Sequence, residues 1–252
     1  MLFRSEVPDE PPRADLRRGK RTLPRSERPA LSGVHLTLLS GQRLAVLGRN
    51  GSGKTSLLLV PTGLVPYTGW VEVAGRPVGP AHLGEVRRRL GVLFAVPEDQ
   101  LLFPRVLDDV AFGLRNRPVR EATPARPPRP ANEIARTWLE RLGVAHLAGE
   151  STHRLSHGEK LRVALAGALA PGPDLLLLDE PSAALDPPAR TALARLLAGL
   201  PATLLIATHD VSFAAAACTH WLLLRDGRPD GPVRPVSELP ADPEALFGPA
   251  GF

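Results

Sequence analysis

The chain has 252 residues, of which 43% are hydrophobic and 23% charged, as is usual for a soluble globular protein with a buried core. Its single cysteine, Cys218, excludes an intramolecular disulfide and a cysteine-based zinc site, and fits a reducing cytoplasm. The net charge of +5 leaves nucleic acid and an anionic membrane surface open as partners, although a basic bias in composition explains it equally well.

No apolar run of the sequence reaches the roughly 18 residues that span a bilayer. The best candidate, LPATLLIATHDVSFAAAAC, carries His209 and Asp210 in its middle. The N-terminal stretch MLFRSEVPDEPPR has charges where a signal peptide needs apolar residues. We therefore expect a chain that neither crosses a membrane nor is exported by this route.

Three stretches rich in proline interrupt the pattern of the chain. Residues 1–29 predict a flexible, basic N-terminal arm, residues 115–132 an exposed linker, and residues 226–252 a C-terminal tail. The folded domain is therefore expected to begin at residue 30.

Short apolar runs bounded by turn residues alternate with helical stretches. The runs RLAVLG, LGVLFAV, DLLLLD, TLLIAT and WLLLRDG begin at residues 43, 90, 174, 203 and 221. Most are nearly continuous, as expected for strands that are covered on both faces. Because the helical stretches KTSLLLVPTGL, EIARTWLERLGVAHLA, EKLRVALAGALA and PARTALARLLAGL separate them, the sequence predicts an α/β fold with a mostly parallel sheet. The stretch TGWVEVAGRPV alternates instead and predicts a small antiparallel piece.

The stretch GRNGSGKTS lies between the first of these strands and a helix, and it fits the phosphate-binding pattern G-x-x-x-x-G-K-[ST]. Its glycines let successive backbone N–H groups point at phosphate oxygens, and the helix that begins near Lys54 adds its positive N-terminal dipole. We expect Lys54 to bridge the terminal phosphates of a nucleotide and the Thr55 hydroxyl to bind Mg²⁺. Pro61 removes a hydrogen bond to the Leu57 carbonyl, so the helix should end early. The predicted nucleotide-binding residues here are Gly48, Arg49, Asn50, Gly51, Ser52, Gly53, Lys54, Thr55 and Ser56.

The stretch DLLLLDEPSAALD ends a buried strand in two acidic residues. Asp179 should lie at the carboxyl edge of the sheet beside the phosphate loop, where it can hold Mg²⁺ through water. Glu180 can orient or deprotonate an attacking water. Taken alone, the two acids could equally cap the helix near Pro181.

Two further segments carry candidate residues. Ser156 and Glu159 form a capping box, so a helix should begin at Ser156, and its free amide groups with Gly158 would form an anion site. An ordinary helix start explains that pattern equally well. The segment ATHD ends an apolar strand at His209, which is either structural or placed to contact a γ-phosphate.

Together these motifs resemble the ATP-binding cassette of ABC transporters over residues 30 to about 230. GRNGSGKT matches the Walker A motif, LSHGE the signature motif, LLLLDEP the Walker B motif, SAALD the D-loop and THD the H-loop. The stretch PEDQLLFPRVLDDVAFGLRN resembles energy-coupling-factor subunits, which power the uptake of cobalt, nickel or vitamins. The resemblance implies one P-loop NTPase domain over residues 30–252, with its core in residues 30–95 and 166–252 and an inserted helical subdomain in residues 96–165.

The resemblance also implies a head-to-tail dimer, in which each ATP lies between one subunit's Walker motifs and the other's signature helix. Glu180 would be the catalytic base and His209 the γ-phosphate contact, with Lys54 as the third catalytic residue. A further set would bind ATP from across the interface: Ser156, Gly158 and Asp186. Implied cofactors are ATP and Mg²⁺, and implied partners are a second cassette, homo- or heteromeric, and integral membrane subunits at the cytoplasmic face of the cell membrane. The PEDQ region and the following helical subdomain would form the contact surface for those subunits.

Three positions depart from the family pattern. Ala95 stands where a Q-loop glutamine usually touches Mg²⁺ or the attacking water and reports the nucleotide state to the membrane partner. Gln100 matches another glutamine of the subfamily, so we do not expect it to substitute. The stretch RTLPRSERPAL lacks the aromatic residue that stacks on adenine, which leaves Phe3 or an arginine. His157 replaces a common glycine of the signature motif.

Three functions stay open at this point. The favoured one is an ATP-hydrolysing subunit of an energy-coupling-factor importer, in which loss of one magnesium contact would cost about 10-fold in rate. The second is a catalytically impaired partner in a heterodimeric ABC ATPase, which Ala95 and the missing aromatic residue motivate. The third is a soluble ABC ATPase that acts on nucleic acid or protein, which the single cassette and the subfamily resemblance disfavour. The transported substrate is not encoded in this chain.

Overall fold

The computed structural model describes residues 2–4, 29–116, 129–183 and 185–248. The strands are β1 (Leu2–Arg4), β2 (His35–Thr37), β3 (Arg43–Leu47), β4 (Trp70–Val73), β5 (Arg76–Pro77), β6 (Leu90–Leu93), β7 (Leu175–Asp179), β8 (Thr203–Thr208), β9 (His220–Arg225), β10 (Arg228–Pro229) and β11 (Arg234–Pro235). The α-helices are α1 (Lys54–Leu59), α2 (Leu83–Arg87), α3 (Val106–Arg115), α4 (Ala131–Arg141), α5 (His157–Leu169), α6 (Pro187–Ala198), α7 (Val211–Ala217) and α8 (Pro243–Phe247). Among the helices of these ranges, none is long and apolar enough to cross a membrane.

The central sheet has the order β10-β9-β3-β8-β7-β6, and its five strands from β9 to β6 run parallel. Successive side chains of β7 pack into cores on opposite faces of the sheet. Leu176 and Leu178 lie in the core that contains the helices α3, α4, α5, α6 and α7. Leu175 and Leu177 lie in the core that contains α1 and α2. This double coverage explains why β7 is a nearly continuous apolar run. The predicted α/β fold with a mostly parallel sheet is therefore confirmed.

The small antiparallel sheet has the order β2-β1-β4-β5, and the buried apolar side chains of β2 and β4 pack into the same core as α1. The stretch TGWVEVAGRPV forms the hairpin β4–β5, as predicted. Its turn residues Ala74 and Gly75 both have positive φ, which matches the twist of a two-residue hairpin. β1 pairs with β2 and β4, so the predicted N-terminal arm begins in a sheet, because its first apolar residues pair between two strands. The prediction for residues 5–28 lies outside the described residues.

The helices α3, α4 and α5 follow β6 and precede β7 in the sequence, and they pack against one another. α4 ends at Arg141, earlier than the stretch EIARTWLERLGVAHLA suggested, because Gly143 adopts a φ of 70° and turns the chain out of the helix. α5 continues to Leu169, past the residue at which the predicted helical subdomain ends. Of the predicted linker, residues 117–128 lie outside the described residues, and the division into core and subdomain stays a prediction.

Prolines affect two parts of the fold. α1 ends at Leu59 and a 3₁₀ turn with Pro61 follows, which confirms that this proline shortens the helix. Residues 226–248, the described part of the predicted tail, fold onto the sheet: β10 and β11 pair with β9, and Leu246 of α8 is buried. Each of the two short strands contains a proline, which is tolerated because they lie at the edge of the sheet.

We predict that Gly91→Ala destabilises the protein because β6 lies against the end of α5. A Cβ atom at Gly91 would lie 2.6 Å from the Ala168 carbonyl oxygen and 2.8 Å from Leu176 Cδ1. Such overpacking costs about 1–3 kcal/mol in the free energy of unfolding, which denaturant titration measures. The matched control is Gly84→Ala in α2, where a Cβ atom meets nothing within 4 Å and the change should stabilise by about 0.5–1 kcal/mol. Equal effects of the two substitutions would contradict the packing argument.

Candidate active site

The loop between β3 and α1 is shaped by close approaches of the backbone. At Gly53, the residue before α1, φ is 98°, and a Cβ atom would lie 2.8 Å from the Ala30 carbonyl oxygen. At Gly48 a Cβ atom would lie 2.5 Å from the Leu224 carbonyl oxygen. Glycine is therefore required at both ends of the loop. Of the predicted nucleotide-binding residues, those from Gly48 to Gly53 form this loop and those from Lys54 to Ser56 begin α1.

Lys54 is folded back into the loop, and only 7% of its side chain is exposed. Its ammonium group donates hydrogen bonds to the carbonyl oxygens of Gly48 (2.8 Å) and Arg49 (3.2 Å). It also lies 3.6 Å from the Glu180 carboxylate. The positive charge is thus fixed at the centre of the loop, where phosphate oxygens would approach.

Thr55 and Asp179 meet across the loop and the carboxyl end of β7. The Thr55 hydroxyl donates to the Asp179 carboxylate at 2.8 Å. Burial raises the pKa of Asp179, and the negative charge of Glu180 adds to this, while the hydrogen bond from Thr55 and the charge of Lys54 act in the opposite direction. A hydroxyl and a carboxylate oxygen placed together in this way fit the hard oxygen ligands that Mg²⁺ prefers.

Glu180 is held by three side chains, one from the start of α1 and two from the end of β8. Its carboxylate accepts a hydrogen bond from the Thr208 hydroxyl (3.1 Å), lies 3.0 Å from Nδ1 of His209 and faces Lys54. Its φ of 46° is in the left-handed region, a strained conformation for a residue with a side chain. The structure therefore brings together all three predicted catalytic residues, Lys54, Glu180 and His209.

Thr208 is a residue of this cluster that sequence reasoning missed. It is fully buried at the end of β8, and its hydroxyl both donates to Glu180 and accepts from the Asp210 amide. Its place as the last residue of an apolar strand, directly before His209, was the available signal. A hydroxyl that is buried at a strand end beside acidic residues is expected to hold one of them.

The remaining predicted site residues lie at helix starts. Ser156 caps α5 in the predicted capping box, and its hydroxyl donates to the Glu159 carboxylate rather than to Asp179 or Glu180. Gly158 follows in the first turn of α5. Asp186 caps α6 by accepting from the Ala189 amide at 2.8 Å. Within one chain, no described side-chain contact joins any of these three residues to Lys54 or Glu180.

Ala95, at the Q-loop position, and Gln100 differ in their contacts. Ala95 follows β6 and is exposed. The Gln100 side chain turns back to the end of β6, donating to the Val92 carbonyl at 2.6 Å and accepting from the Phe94 amide at 3.2 Å. Because both ends of its amide are engaged by the backbone, this agrees with the expectation that Gln100 does not replace the missing Q-loop glutamine.

The ABC transporter family model matches residues 31–183, and this range contains the phosphate loop and the Asp179–Glu180 pair. The chain belongs to this family. It is 46% identical over 208 residues to an ABC transporter ATP-binding protein of Gloeobacter violaceus, with 81% of this chain and 82% of that protein covered. It is 42% identical over 214 residues to the nickel import ATP-binding protein NikO of Rhodobacter capsulatus, with 79% and 81% covered.

Solved cassettes share the fold along most of their length. CbiO1 of Clostridium perfringens, part of the ABC transporter complex cbiONQ, superposes with a TM-score of 0.70 at 31% identity, with 86% of each chain covered. The dimeric ATP-binding cassette MJ0796 in a post-hydrolysis state bound to ADP and Pi superposes with a TM-score of 0.73 at 26% identity, with 86% and 95% covered. The predicted ABC ATPase fold is thereby confirmed, and the chain is an ABC-type ATPase.

We predict that Asp179→Asn stabilises the ligand-free ABC cassette at pH 7 and weakens its binding of Mg²⁺-ATP. A raised pKa means that the ionised Asp179 carboxylate is less favourable in the folded protein than in the unfolded chain, so its charge lowers the free energy of unfolding at pH 7. As the pH falls through the raised pKa, Asp179 of the wild type is protonated, and the difference in free energy of unfolding between the two proteins shrinks. Denaturant unfolding at steps from pH 8 to pH 4 measures the free energy of unfolding of both proteins.

The matched control for this prediction is Asp174→Asn at the opposite edge of the sheet. The Asp174 carboxylate is paired with Arg89 at 3.0 Å and is partly exposed, so its removal should not stabilise the fold. A gain from Asp179→Asn that persists undiminished at pH 4, or an equal gain from Asp174→Asn, would show that burial is not the cause.

Proposed function

We propose that this chain is the ATP-binding and ATP-hydrolysing subunit of an energy-coupling-factor-type ABC importer. The observation that carries the proposal is the placement of Glu180, which Thr208, His209 and Lys54 hold at the edge of the phosphate loop. A chain that only bound nucleotide would not need this acidic residue in a strained backbone conformation. The importer type is supported by the similarity to the nickel import protein NikO and to cbiO1.

Lys54 and the loop amides would bind the phosphates of ATP. The ammonium group now bonds to two loop carbonyls, and it would exchange them for β- and γ-phosphate oxygens without a large movement. The N-terminus of α1 adds positive potential at the same place. Substrate binding would therefore use a charge that the fold has already positioned, so little reorganisation is needed when negative charge develops.

Thr55 and Asp179 are the residues that would hold Mg²⁺, and their oxygens already lie 2.8 Å apart. When bound, Mg²⁺ neutralises charge on the phosphates of the substrate. The buried Asp179 carboxyl, whose pKa is raised, would gain a cationic neighbour and so be favoured in its ionised form. Ligand binding would thus relieve a cost that the ligand-free site carries.

Glu180 would orient the attacking water and accept its proton. Thr208 and His209 fix the direction of the carboxylate, while Lys54 limits the build-up of negative charge beside the phosphates. With Nδ1 of His209 beside Glu180, the opposite ring nitrogen, Nε2, would contact the γ-phosphate. The His209 side chain is 58% exposed, which leaves its outer face accessible to substrate.

A second cassette would complete the site. Among the described residues, no side-chain contact joins Ser156, Gly158 or the D-loop residue Asp186 to Lys54 or Glu180 of the same chain. These residues would therefore serve the nucleotide of a partner. The dimeric state of the similar cassette MJ0796 supports this arrangement. Closure of the dimer on ATP and reopening after hydrolysis would then drive transport.

The membrane subunits would dock in a groove between the central sheet and the helical subdomain. This groove has a volume of about 290 Å³ and contains the exposed Leu64 (56%) beside the end of β6. Two more exposed apolar side chains, Leu102 and Phe112, come from the segment after the PEDQ turn. The residues that line it include Leu64, Arg87, Phe94, Gln100, Gly113 and Pro171. Such a docking site would place the chain at the inner face of the cell membrane.

We predict that Glu180→Gln lowers ATP turnover by about 10²- to 10⁴-fold while nucleotide binding persists, because the substitution removes the proton acceptor and keeps the side-chain shape. Ala95→Gln should raise turnover by about 10-fold, because it restores a polar contact to the substrate site. Steady-state phosphate release measures turnover, and a fluorescent ATP analogue measures binding.

Ala95→Leu is the matched control, since it adds bulk without a polar group and should give no rise. Wild-type turnover that survives Glu180→Gln would contradict the assigned base. Absence of wild-type turnover with ATP still bound would favour the second candidate, a catalytically impaired partner in a heterodimer. Ala95 and the engaged Gln100 amide are the observations that keep this candidate in play.

We further predict that Leu64→Glu reduces the fraction of tagged chain that sediments with membranes of cells carrying the natural transporter. A carboxylate at this position would have to be desolvated when the groove is covered. Leu39→Glu is the control, because Leu39 is similarly exposed (64%) and does not line the groove. ATPase activity of the isolated chain should be unchanged by both. Equal loss of membrane association for the two variants would contradict the assigned docking surface.

A further inference from the structure

His157, which replaces glycine in the signature motif, is held by an acidic residue from the PEDQ turn. Glu98 lies in the 3₁₀ turn Pro97–Gln100, and its Oε1 atom is 3.1 Å from Nδ1 of His157 and 3.3 Å from the Lys160 ammonium group. These contacts join two segments that lie 59 residues apart in the chain. One carboxylate therefore bridges two side chains of the first turn of α5.

The charges of this contact complement one another. His157 and Lys160 place cationic or ionisable groups at the positive end of the α5 dipole, where they need a counter-charge. Glu159 on the same turn is engaged by Ser156, and Arg162 lies one turn further along. Hydrogen bonds from its own backbone N–H, from His157 and from Lys160 lower the pKa of Glu98, so this carboxylate is ionised at neutral pH. Glu98 thus supplies the counter-charge.

The PEDQ turn is also anchored on its other side. Gln100 ties it to β6 through the Val92 carbonyl and the Phe94 amide, and Gln100 and Phe94 line the groove proposed for the membrane subunits. Between them, Ala95 and Val96 are exposed. A displacement of the turn at the groove would therefore be carried by Glu98 to the start of α5.

We propose that Glu98 is a positioning residue that couples the PEDQ turn to the signature motif. It fixes the imidazole of His157 and the ammonium group of Lys160 so that Ser156 and Gly158 face the nucleotide of a second cassette. The contacts of Glu98 connect the groove with the nucleotide of the second cassette, a connection that the methyl group of Ala95 cannot provide. The inference rests on the proposed function, because it concerns how one cassette acts on ATP held by another.

A double-mutant cycle in steady-state ATP hydrolysis tests this coupling. Glu98→Gln should raise the KM for ATP about 5- to 10-fold with a smaller change in kcat, because the signature turn is presented less often in the closing geometry. In a His157→Gly background the same substitution should change KM less than about 2-fold, since its main partner is absent. Equal changes in both backgrounds, or a lower KM in Glu98→Gln, would overturn the proposal.

Two further variants separate positioning from general loosening of the fold. Glu98→Asp should restore most of the wild-type KM. Asp99→Asn is the charge-matched control, because Asp99 lies on the same turn and makes neither contact, and it should leave KM unchanged. A KM that rises as much in Asp99→Asn as in Glu98→Gln, or that Glu98→Asp does not restore, would contradict the positioning role of Glu98.

Hydrogen exchange of the isolated chain tests the anchor without reference to turnover. Amides at the start of α5 should exchange faster in Glu98→Gln and not in Asp99→Asn. Unchanged exchange would refute the anchor even where turnover is normal. If neither the wild type nor any variant hydrolyses ATP, faster exchange in Glu98→Gln would still support the anchor. The missing hydrolysis would then count against the proposed function.

Discussion

The reactive groups of this cassette lie together because β8 runs parallel between β3 and β7. In this register Leu47 pairs with Thr208, and Asp179 pairs with Ala207, so the three strands end at one edge of the sheet. The phosphate loop leaves β3, the two acids leave β7, and the buried hydroxyl and the histidine leave β8 at this edge. A slip of one residue would turn every side chain to the opposite face and separate Lys54 from Glu180. The geometry of the site is therefore a property of strand pairing.

The same edge concentrates features that oppose folding. Burial raises the pKa of Asp179, Glu180 adopts a left-handed backbone conformation, and the Lys54 ammonium group is almost enclosed. β7 is buried along its whole length, and its buried leucines on both faces of the sheet offset these costs through hydrophobic burial. Such opposition between local cost and function is expected where a site is prepared for a highly charged substrate.

Local sequence patterns predicted the features that depend on neighbours in the chain. The spacing of the phosphate loop, the capping box at Ser156 and the early end of α1 at Pro61 each involve residues within one or two turns. Contacts between distant segments carry no such signal: the hydrogen bond from Thr208 to Glu180 spans 28 residues, and the pairing of β1 depends on two strands far along the chain. The tail was misjudged for the same reason, since its prolines are tolerated only because β9 offers an edge.

The PEDQ turn divides its polar residues between two tasks. Gln100 directs its amide inward and fixes the turn to β6, whereas Glu98 directs its carboxylate outward to α5. The methyl group of Ala95 cannot form a hydrogen bond to substrate, and the proposed coupling therefore runs through the rest of the turn. A turn that Gln100 anchors to β6 and Glu98 joins to α5 is suited to that purpose, because a small rotation at the groove changes the distance between Glu98 and His157 directly. In a dimer, the signature motif that responds would serve the ATP of the other subunit, so events at one chain's groove would be felt first at its partner's active site.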